Sequence, residues 1–173
     1  MEELNIGVPR NLEFRYGEKV KLDKTDKEIL TLLSKDGRAS VAEISRKLRI
    51  SRDIIKYRIE RLVKLEVIQG FVAVANPTKL GLPNMVFVNI SFLSVNPKRE
   101  KMLIEYLKSE PYIIYAAKTL GRWDLNIEIY SKHNKHLDVI LNGIREKFSD
   151  IIKEMEITPV IEEYKWTEFP REF

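Results

Sequence analysis

Apolar residues between positions 21 and 70 recur every three or four residues, the spacing that places side chains on one face of an α-helix. The pattern falls into three segments, and each follows a residue whose side chain caps helices well: Asp23, Ser40 and Ser51. The first segment meets a stop at Asp36-Gly37. We therefore predict three consecutive helices.

The second and third of these helices have the spacing of a helix-turn-helix motif. Ser40 is followed three residues later by Glu43, which completes a capping box at the start of a helix of about two and a half turns. Arg49-Ile50 then forms a tight turn, and Ser51 caps a longer helix that runs to about Leu65. Two helices joined in this way are typical of DNA-binding domains.

One face of the third helix is apolar and the opposite face is charged. The apolar stripe follows the i, i+4, i+7 spacing and consists of Ile55, Ile59 and Leu62. We predict that the N-terminal turns of this helix enter the major groove, where base edges are reached by Arg52, Asp53, Lys56 and Tyr57. The other predicted DNA contacts, mostly with phosphates, are Ser40, Arg46, Lys47, Arg49, Ser51, Arg58, Arg61 and Lys64.

The basic excess of the chain is concentrated in this helical segment. Residues 21 to 70 contain 13 Lys and Arg against 8 Asp and Glu, whereas residues 71 to 173 contain 14 of each kind. A formal net charge of +4 would mean little if it were spread evenly, but a local patch attracts polyanions. A single charged helix face is usually only solvated. Three capped helices in sequence favour double-stranded DNA as the partner.

From position 84 onward the pattern changes to alternating strands and helices. Strand patterns cover residues 85–93, 112–120, 124–130 and 152–164, and helical patterns cover residues 97–109 and 134–149. The order is β-α-β-β-α-β. In the third strand Leu125, Ile127 and Ile129 point to one side, as expected when helices cover one face of an antiparallel sheet.

The second face of this sheet remains partly apolar. The residues assigned to it are Met85, Phe87, Leu93, Tyr112, Ile114 and Tyr130. An exposed apolar sheet face is typical of a subunit interface, and a twofold dimer is the commonest closed assembly. We therefore predict a homo-oligomer built from dimers, in which each dimer carries two DNA-binding units.

These patterns predict an α+β chain. The predicted divisions are an N-terminal extension at 1–20, a three-helix helix-turn-helix domain at 21–70, a linker strand at 71–83, a βαββαβ domain at 84–164 and a C-terminal tail at 165–173. Residues 67–76 alternate, and the predicted strand there serves as a wing or as a linker. In the tail, Trp166, Phe169 and Phe173 either pack on a neighbouring subunit or fray.

Composition and motifs give no catalytic, metal or cofactor site. The chain lacks Cys, and its only two His residues, His133 and His136, do not form a ligand cluster. No P-loop, G-x-S-x-G or H-E-x-x-H motif is present. No apolar run approaches the roughly 18 to 20 residues that span a bilayer, and a signal peptide is not indicated. We expect a cytoplasmic protein that is not an enzyme and does not contact membranes.

The chain resembles the leucine-responsive regulatory protein (Lrp/AsnC) family of transcription factors. The runs that carry the likeness are LDKTDKEILTLLSKDGRAS, ISRDIIKYRIERLVKLEVIQGF, NPTKLGL and TLGRWDLNIEIY, within residues 21 to 164. The resemblance implies an N-terminal winged helix-turn-helix domain joined by a strand to a C-terminal ferredoxin-like effector domain. Members of the family dimerise, often assemble into octamers or similar rings, and respond to small molecules, commonly amino acids.

Two positions depart from the family pattern. Glu66 stands just past the recognition helix, where the family usually has Gly. A non-Gly residue in a left-handed conformation costs about 1 kcal/mol, so we expect the helix to end differently. Ile54 stands where the recognition helix usually carries Thr, so the operator sequence does not transfer from relatives.

The resemblance also places an effector site beside the turn of a G-x-x-D strand pair. In this chain the motif is Gly121-Arg122-Trp123-Asp124, and Thr119 belongs to the same predicted site. Gly exposes backbone N–H groups to a ligand carboxylate, and Asp124 pairs with an α-amino group. The structural alternative is that Gly121 makes the hairpin turn and Asp124 caps it.

Two other functions are compatible with this architecture. Siroheme decarboxylases share the two domains, so the fold alone does not decide between catalysis and regulation. Those enzymes have a His-containing motif before the first strand of the second domain, where this chain has LGLPNMVFVNISF. The other alternative is an architectural protein that coats DNA with little sequence preference. We favour the sequence-specific regulator.

Overall fold

The computed structural model describes residues 18–94, 96–165, 167, 169 and 170. They form two compact units. The first contains the described residues up to Val74 together with those from Lys165 onward, and the second contains the described residues from Ala75 to Tyr164.

Three helices build the first unit, as predicted. They are α1 (Lys24–Lys35), α2 (Val41–Leu48) and α3 (Arg52–Lys64). Asp23 and Ser40 both form capping boxes, and the Ser51 side chain accepts a hydrogen bond from the Ile54 N–H. The buried core consists of Ile29, Leu30, Ile44, Ile55, Ile59, Leu62 and Ile68.

Helix α3 ends in the left-handed turn that Gly usually occupies. Glu66 has a φ of 56°, so the expectation of a different helix end is wrong. The Glu66 N–H donates to the Val63 carbonyl and the Val67 N–H donates to the Leu62 carbonyl, each at 2.9 Å. These two bonds form a Schellman motif, and they satisfy carbonyls that would otherwise lack partners. A non-Gly residue in this left-handed conformation costs about 1 kcal/mol, and the two hydrogen bonds of the motif offset that cost.

The segment after α3 does not form the predicted strand. Residues 68–76 are irregular, and Thr78–Leu80 forms a short 3₁₀ helix, which corrects both the strand at 67–76 and the linker strand at 71–83. Residues 72–76 are all exposed, including Val72 and Val74, which are 61% and 71% exposed. A strand needs a neighbour for its ladder of hydrogen bonds, and none pairs with this segment in the described part of the chain.

The second unit is a four-stranded antiparallel sheet with two helices. In chain order the elements are β1 (Asn84–Phe92), α4 (Pro97–Ser109), β2 (Ile113–Lys118), β3 (Leu125–Ser131), α5 (Asn134–Phe148) and β4 (Ile152–Pro159). The spatial order is β2-β3-β1-β4, with every neighbouring pair antiparallel. This confirms the ferredoxin-like βαββαβ fold. The last strand ends at Pro159, which pairs with Val86 of β1, five residues before the predicted position 164.

Alternation along β1 and β3 decides which face of the sheet is buried. The face that packs with α4 and α5 carries Val86, Val88, Ile90, Leu125, Ile127 and Ile129. On the other face, called the open face below, Met85, Phe87 and Tyr130 are half-buried.

Tyr112 does not lie on the open face, contrary to the prediction. It packs against the helix-side core, and its ring centre lies 4.3 Å from that of His136. Tyr112 precedes β2, and the pairing of β2 with β3 shifts between Ile113 and Tyr115. Because Tyr112 lies outside β2, the two-residue alternation on which the assignment depended does not apply to it.

The described part of the tail contacts the helical core. Phe169, which was predicted either to pack on a neighbouring subunit or to fray, packs against the first unit's core. Trp166 and Phe173 lie outside the described residues, as do residues 1–17 of the predicted extension. Among the residues that are described, no helix is long and apolar enough to cross a bilayer.

Candidate functional site

The turn between α2 and α3 is closed by hydrogen bonds in both directions. The Ile50 N–H donates to the Ser45 carbonyl at 3.2 Å, and the Ser45 hydroxyl donates to the Ile50 carbonyl at 2.6 Å. Arg49 between them has a left-handed backbone, with a φ of 57°. The turn therefore fixes the orientation of α3 relative to α2.

Most of the side chains predicted to contact DNA lie on the surface. The exposed ones are Ser40, Arg46, Lys47, Arg49, Ser51, Arg52, Asp53, Lys56, Tyr57 and Lys64. The buried residues of α3 are Ile55, Ile59 and Leu62, so the exposed residues of this helix lie away from the core. The arrangement has the form of a recognition helix with an accessible outer face.

Arg58 and Arg61 are an exception, because carboxylates of the first helix hold their guanidinium groups. Arg58 Nη1 lies 2.7 Å from Asp23 and 2.8 Å from Asp26, and Arg61 Nη1 lies 3.2 Å from Asp26. The Asp26 side chain is only 2% exposed, so its charge needs these partners. Arg58 and Asp26 are 32 residues apart, and such a pair leaves no local pattern in the sequence.

The ion pair between Asp23 and Arg58 shifts the pKa of both groups. The backbone N–H of Asp26, and after it the guanidinium of Arg58, hold the pKa of Asp23 below its ordinary value. In turn, the hydrogen bond to Asp23 raises the pKa of Arg58. Asp23 and Arg58 therefore stay ionised at neutral pH, and their ion pair ties the start of α1 to the middle of α3.

The five predicted effector residues lie together between β2 and β3. The Thr119 hydroxyl donates to the Trp123 carbonyl at 2.6 Å, and the Thr119 N–H donates to the Asp124 carbonyl at 2.8 Å. Gly121 has a φ of 135°, which L side chains rarely adopt. The Arg122 guanidinium lies 4.5 Å from the centre of the Trp123 ring. The connection is thus tight, and it carries a cation stacked on an aromatic ring.

Asp124 has a structural task in this connection. Its carboxylate accepts the Phe92 N–H at 2.7 Å, and its own N–H donates to the Ile90 carbonyl at 2.9 Å. Both bonds reach β1 at the point where the register of its pairing with β4 shifts, between Ser91 and Phe92. Asp124 therefore has a structural role, but its carboxylate bonds to β1 and not within the turn that it was predicted to cap.

Comparison with known proteins gives relatives for both units. Residues 22–63 match the AsnC-type helix-turn-helix domain. An HTH-type transcriptional regulator of Pyrococcus horikoshii is 32% identical over 153 residues, which cover 87% of this chain and 93% of that protein. The HTH-type transcriptional regulator FL11 of Pyrococcus furiosus is 31% identical over 123 residues, covering 71% of this chain and 80% of the relative.

Solved structures share the fold at lower sequence identity. A transcriptional regulator of Neisseria meningitidis, solved as a complex with L-Met, superposes with a TM-score of 0.81 at 18% identity and covers 88% of this chain and 98% of its own. For E. coli AsnC the TM-score is 0.77 at 21% identity, with coverage of 87% and 99%. The helix-turn-helix, the βαββαβ unit and these relatives show that the chain belongs to the Lrp/AsnC family of transcriptional regulators.

Proposed function

We propose that this regulator binds a pseudo-palindromic duplex site through α2, the turn and α3. The observation that carries the proposal is the exposed, largely basic surface of α3 and of the end of α2, held by a closed turn. The major groove of B-DNA admits an α-helix, and its base edges present patterns that side chains can distinguish. Phosphates supply the complementary charge.

The first two turns of α3 supply the proposed base contacts. Arg52 has the forked donors that match guanine, and the Asp53 carboxylate can accept the amino group of cytosine. Lys56 and Tyr57 follow one turn later. The proposed phosphate contacts are Arg46, Lys47, Arg49 and Lys64, together with the helix N-termini marked by Ser40 and Ser51.

Arg58 and Arg61 take a different role in this proposal. Both were predicted at the DNA surface, but both are ion-paired with α1. Releasing them to phosphates would leave the buried Asp26 carboxylate without a cationic partner, at a cost of several kcal/mol. They support the recognition surface by holding α3 on α1.

The open face of the sheet is the proposed dimer interface. It presents Phe87 and Met85 on β1 beside Tyr130 on β3, all half-buried in the single chain. A twofold axis through this face would make the contact self-complementary. Two helix-turn-helix units would then meet two half-sites of one duplex.

The connection between β2 and β3 is the proposed effector site, built from Thr119, Gly121, Arg122, Trp123 and Asp124. The Neisseria regulator with the same fold was solved with L-Met. An amino acid fits this chemistry, because backbone N–H groups near Gly121 and the Arg122 cation can meet a carboxylate while Asp124 can meet an ammonium group. Bound ligand would change the geometry of the connection and, through it, DNA affinity.

Selection of bound fragments from a random duplex library tests the DNA-binding proposal. The full chain should retain fragments that share an inverted repeat, with half-sites about one or two helical turns apart. Affinity for the selected duplex should exceed that for a scrambled duplex by about a thousandfold or more at physiological salt. Equal affinities would instead indicate a DNA-coating protein. Failure to retain any duplex, even at low salt, would refute the proposal.

A further inference from the structure

Two apolar side chains stand among the exposed residues of α3. Ile54 is 48% exposed and Tyr57 is 65% exposed. They are three residues apart in the first two turns, so they are neighbours on the helix surface. They adjoin Arg52, Asp53 and Lys56, the residues proposed to meet base edges.

The ion-pair network holds two guanidinium groups on the flank of this apolar pair. Ile54 and Tyr57 line a surface cavity of about 520 Å³ together with Arg58, Arg61 and Asp26. Asp26 holds both guanidinium groups, at 2.8 and 3.2 Å. The accessible lining of this cavity is mainly carbon, between charged groups.

We infer that Ile54 and Tyr57 recognise the 5-methyl group of thymine. The inference rests on the proposed binding of α3 in the major groove. The thymine methyl is the apolar group that base pairs present there, and side-chain carbon is what contacts it. Ile54 and Tyr57 would thus specify A·T pairs at positions adjacent to those that Arg52 and Asp53 contact.

Charge favours duplex DNA over an apolar protein partner on this surface. Residues 21 to 70 carry 13 Lys and Arg against 8 Asp and Glu. Arg52, Lys56 and Lys64 on the same helix are exposed. A polyanion with an apolar group in its groove is complementary to both properties at once.

Replacement of thymine by deoxyuridine in the selected duplex tests this inference directly. The exchange removes one methyl group and keeps every hydrogen-bonding group of the base. Each thymine of a half-site is exchanged in turn, and binding of the full chain is measured by fluorescence anisotropy. At the position in contact, wild-type affinity should fall about fourfold, the value expected for one buried methyl group.

Protein variants assign the effect to the two side chains. Ile54→Ala or Tyr57→Ser should bind the thymine duplex more weakly and lose the deoxyuridine effect at one position, whereas Tyr57→Phe should retain it. Leu65→Ala is the matched control, because Leu65 is an apolar residue, 40% exposed, at the other end of α3. Its deoxyuridine effect should equal that of the wild type. Thermal melting of each variant verifies folding.

The outcomes separate this inference from the proposed function. Selected half-sites without thymine, or tight binding that no deoxyuridine exchange weakens, would overturn the inference and leave DNA recognition by α3 intact. The same holds if the Ile54 and Tyr57 variants keep the full methyl effect. Absence of any sequence-selective binding by the wild type would overturn both.

Discussion

Two charged residues carry left-handed backbone in the first unit. Arg49 closes the turn between α2 and α3, and Glu66 ends α3. Gly would adopt either conformation at lower cost. At Arg49 a Gly would relieve the backbone strain but would also remove the proposed phosphate contact of the Arg side chain. Glu66 lies at the opposite end of α3 from the proposed base contacts. A Gly at this position would therefore relieve the backbone strain without removing a proposed base contact.

Replacing Glu66 with Gly should raise the free energy of unfolding by about 1 kcal/mol. Gly relieves the left-handed strain and keeps both backbone hydrogen bonds of the helix end. Glu60→Gly is the matched control, because Glu60 is exposed in the interior of the same helix; this change should lower stability by about 1 kcal/mol. Urea unfolding followed by circular dichroism measures both. A loss of stability in Glu66→Gly would contradict this account of the helix end.

Because the pKa of Asp23 is lowered in the folded state, the free energy of unfolding depends on pH in the acid range. The carboxylate accepts the Asp26 N–H and the Arg58 guanidinium, so its folded pKa lies below the ordinary value of 3.8. A depressed folded pKa means that the stabilisation is present above pH 3.8 and is lost as the pH falls through the folded pKa. Asn caps helices as well as Asp does, but it carries no charge.

Asp23→Asn should therefore flatten the acid limb of the stability profile. The wild type should lose stability more steeply than the variant as the pH falls below about 4. Thermal melting across a pH series in a single salt concentration measures the two slopes. Identical slopes would show that the Asp23 ion pair contributes nothing to folding.

At the scale of elements, Asp124 joins the β2–β3 connection to the irregular end of β1. Replacing it with Ala should lower stability by about 1 to 3 kcal/mol, because the Phe92 N–H loses its acceptor. Asp124→Asn keeps an oxygen acceptor and should lose less. Arg122→Ala, at an exposed position, should leave stability nearly unchanged and weaken any amino-acid response. Thermal melting with and without amino acids separates the structural role from the proposed ligand role.

Elements whose signals are local could be predicted from the sequence. The caps at Asp23, Ser40 and Ser51 located all three helices of the first unit, and alternation in β3 assigned its buried face. Features that depend on distant residues could not be predicted. The segment at 67–76 alternates but lacks a neighbouring strand in the described chain, and the Arg58–Asp26 pair joins residues 32 apart. The DNA and effector residues remain predictions, because their partners are separate molecules.

At the scale of the whole molecule, the open face should control assembly. Phe87→Asp places a charge on β1 in the middle of the proposed dimer interface and should convert dimers to monomers. Val139→Asp is the matched control, because Val139 is 63% exposed on α5, away from the open face. Analytical ultracentrifugation of both variants measures the change. A monomeric wild type, or a dimeric Phe87→Asp variant, would move the interface elsewhere.

The regulatory account as a whole depends on α3 entering the major groove through its first turn. The most direct test is the affinity of Arg52→Ala for the selected duplex and for a scrambled one, compared with Arg145→Ala, an exposed change on α5. The account predicts that Arg52→Ala lowers affinity for the selected duplex by about tenfold or more, with a much smaller effect on scrambled DNA and none from the control. Unchanged affinity of Arg52→Ala for the selected duplex would contradict it.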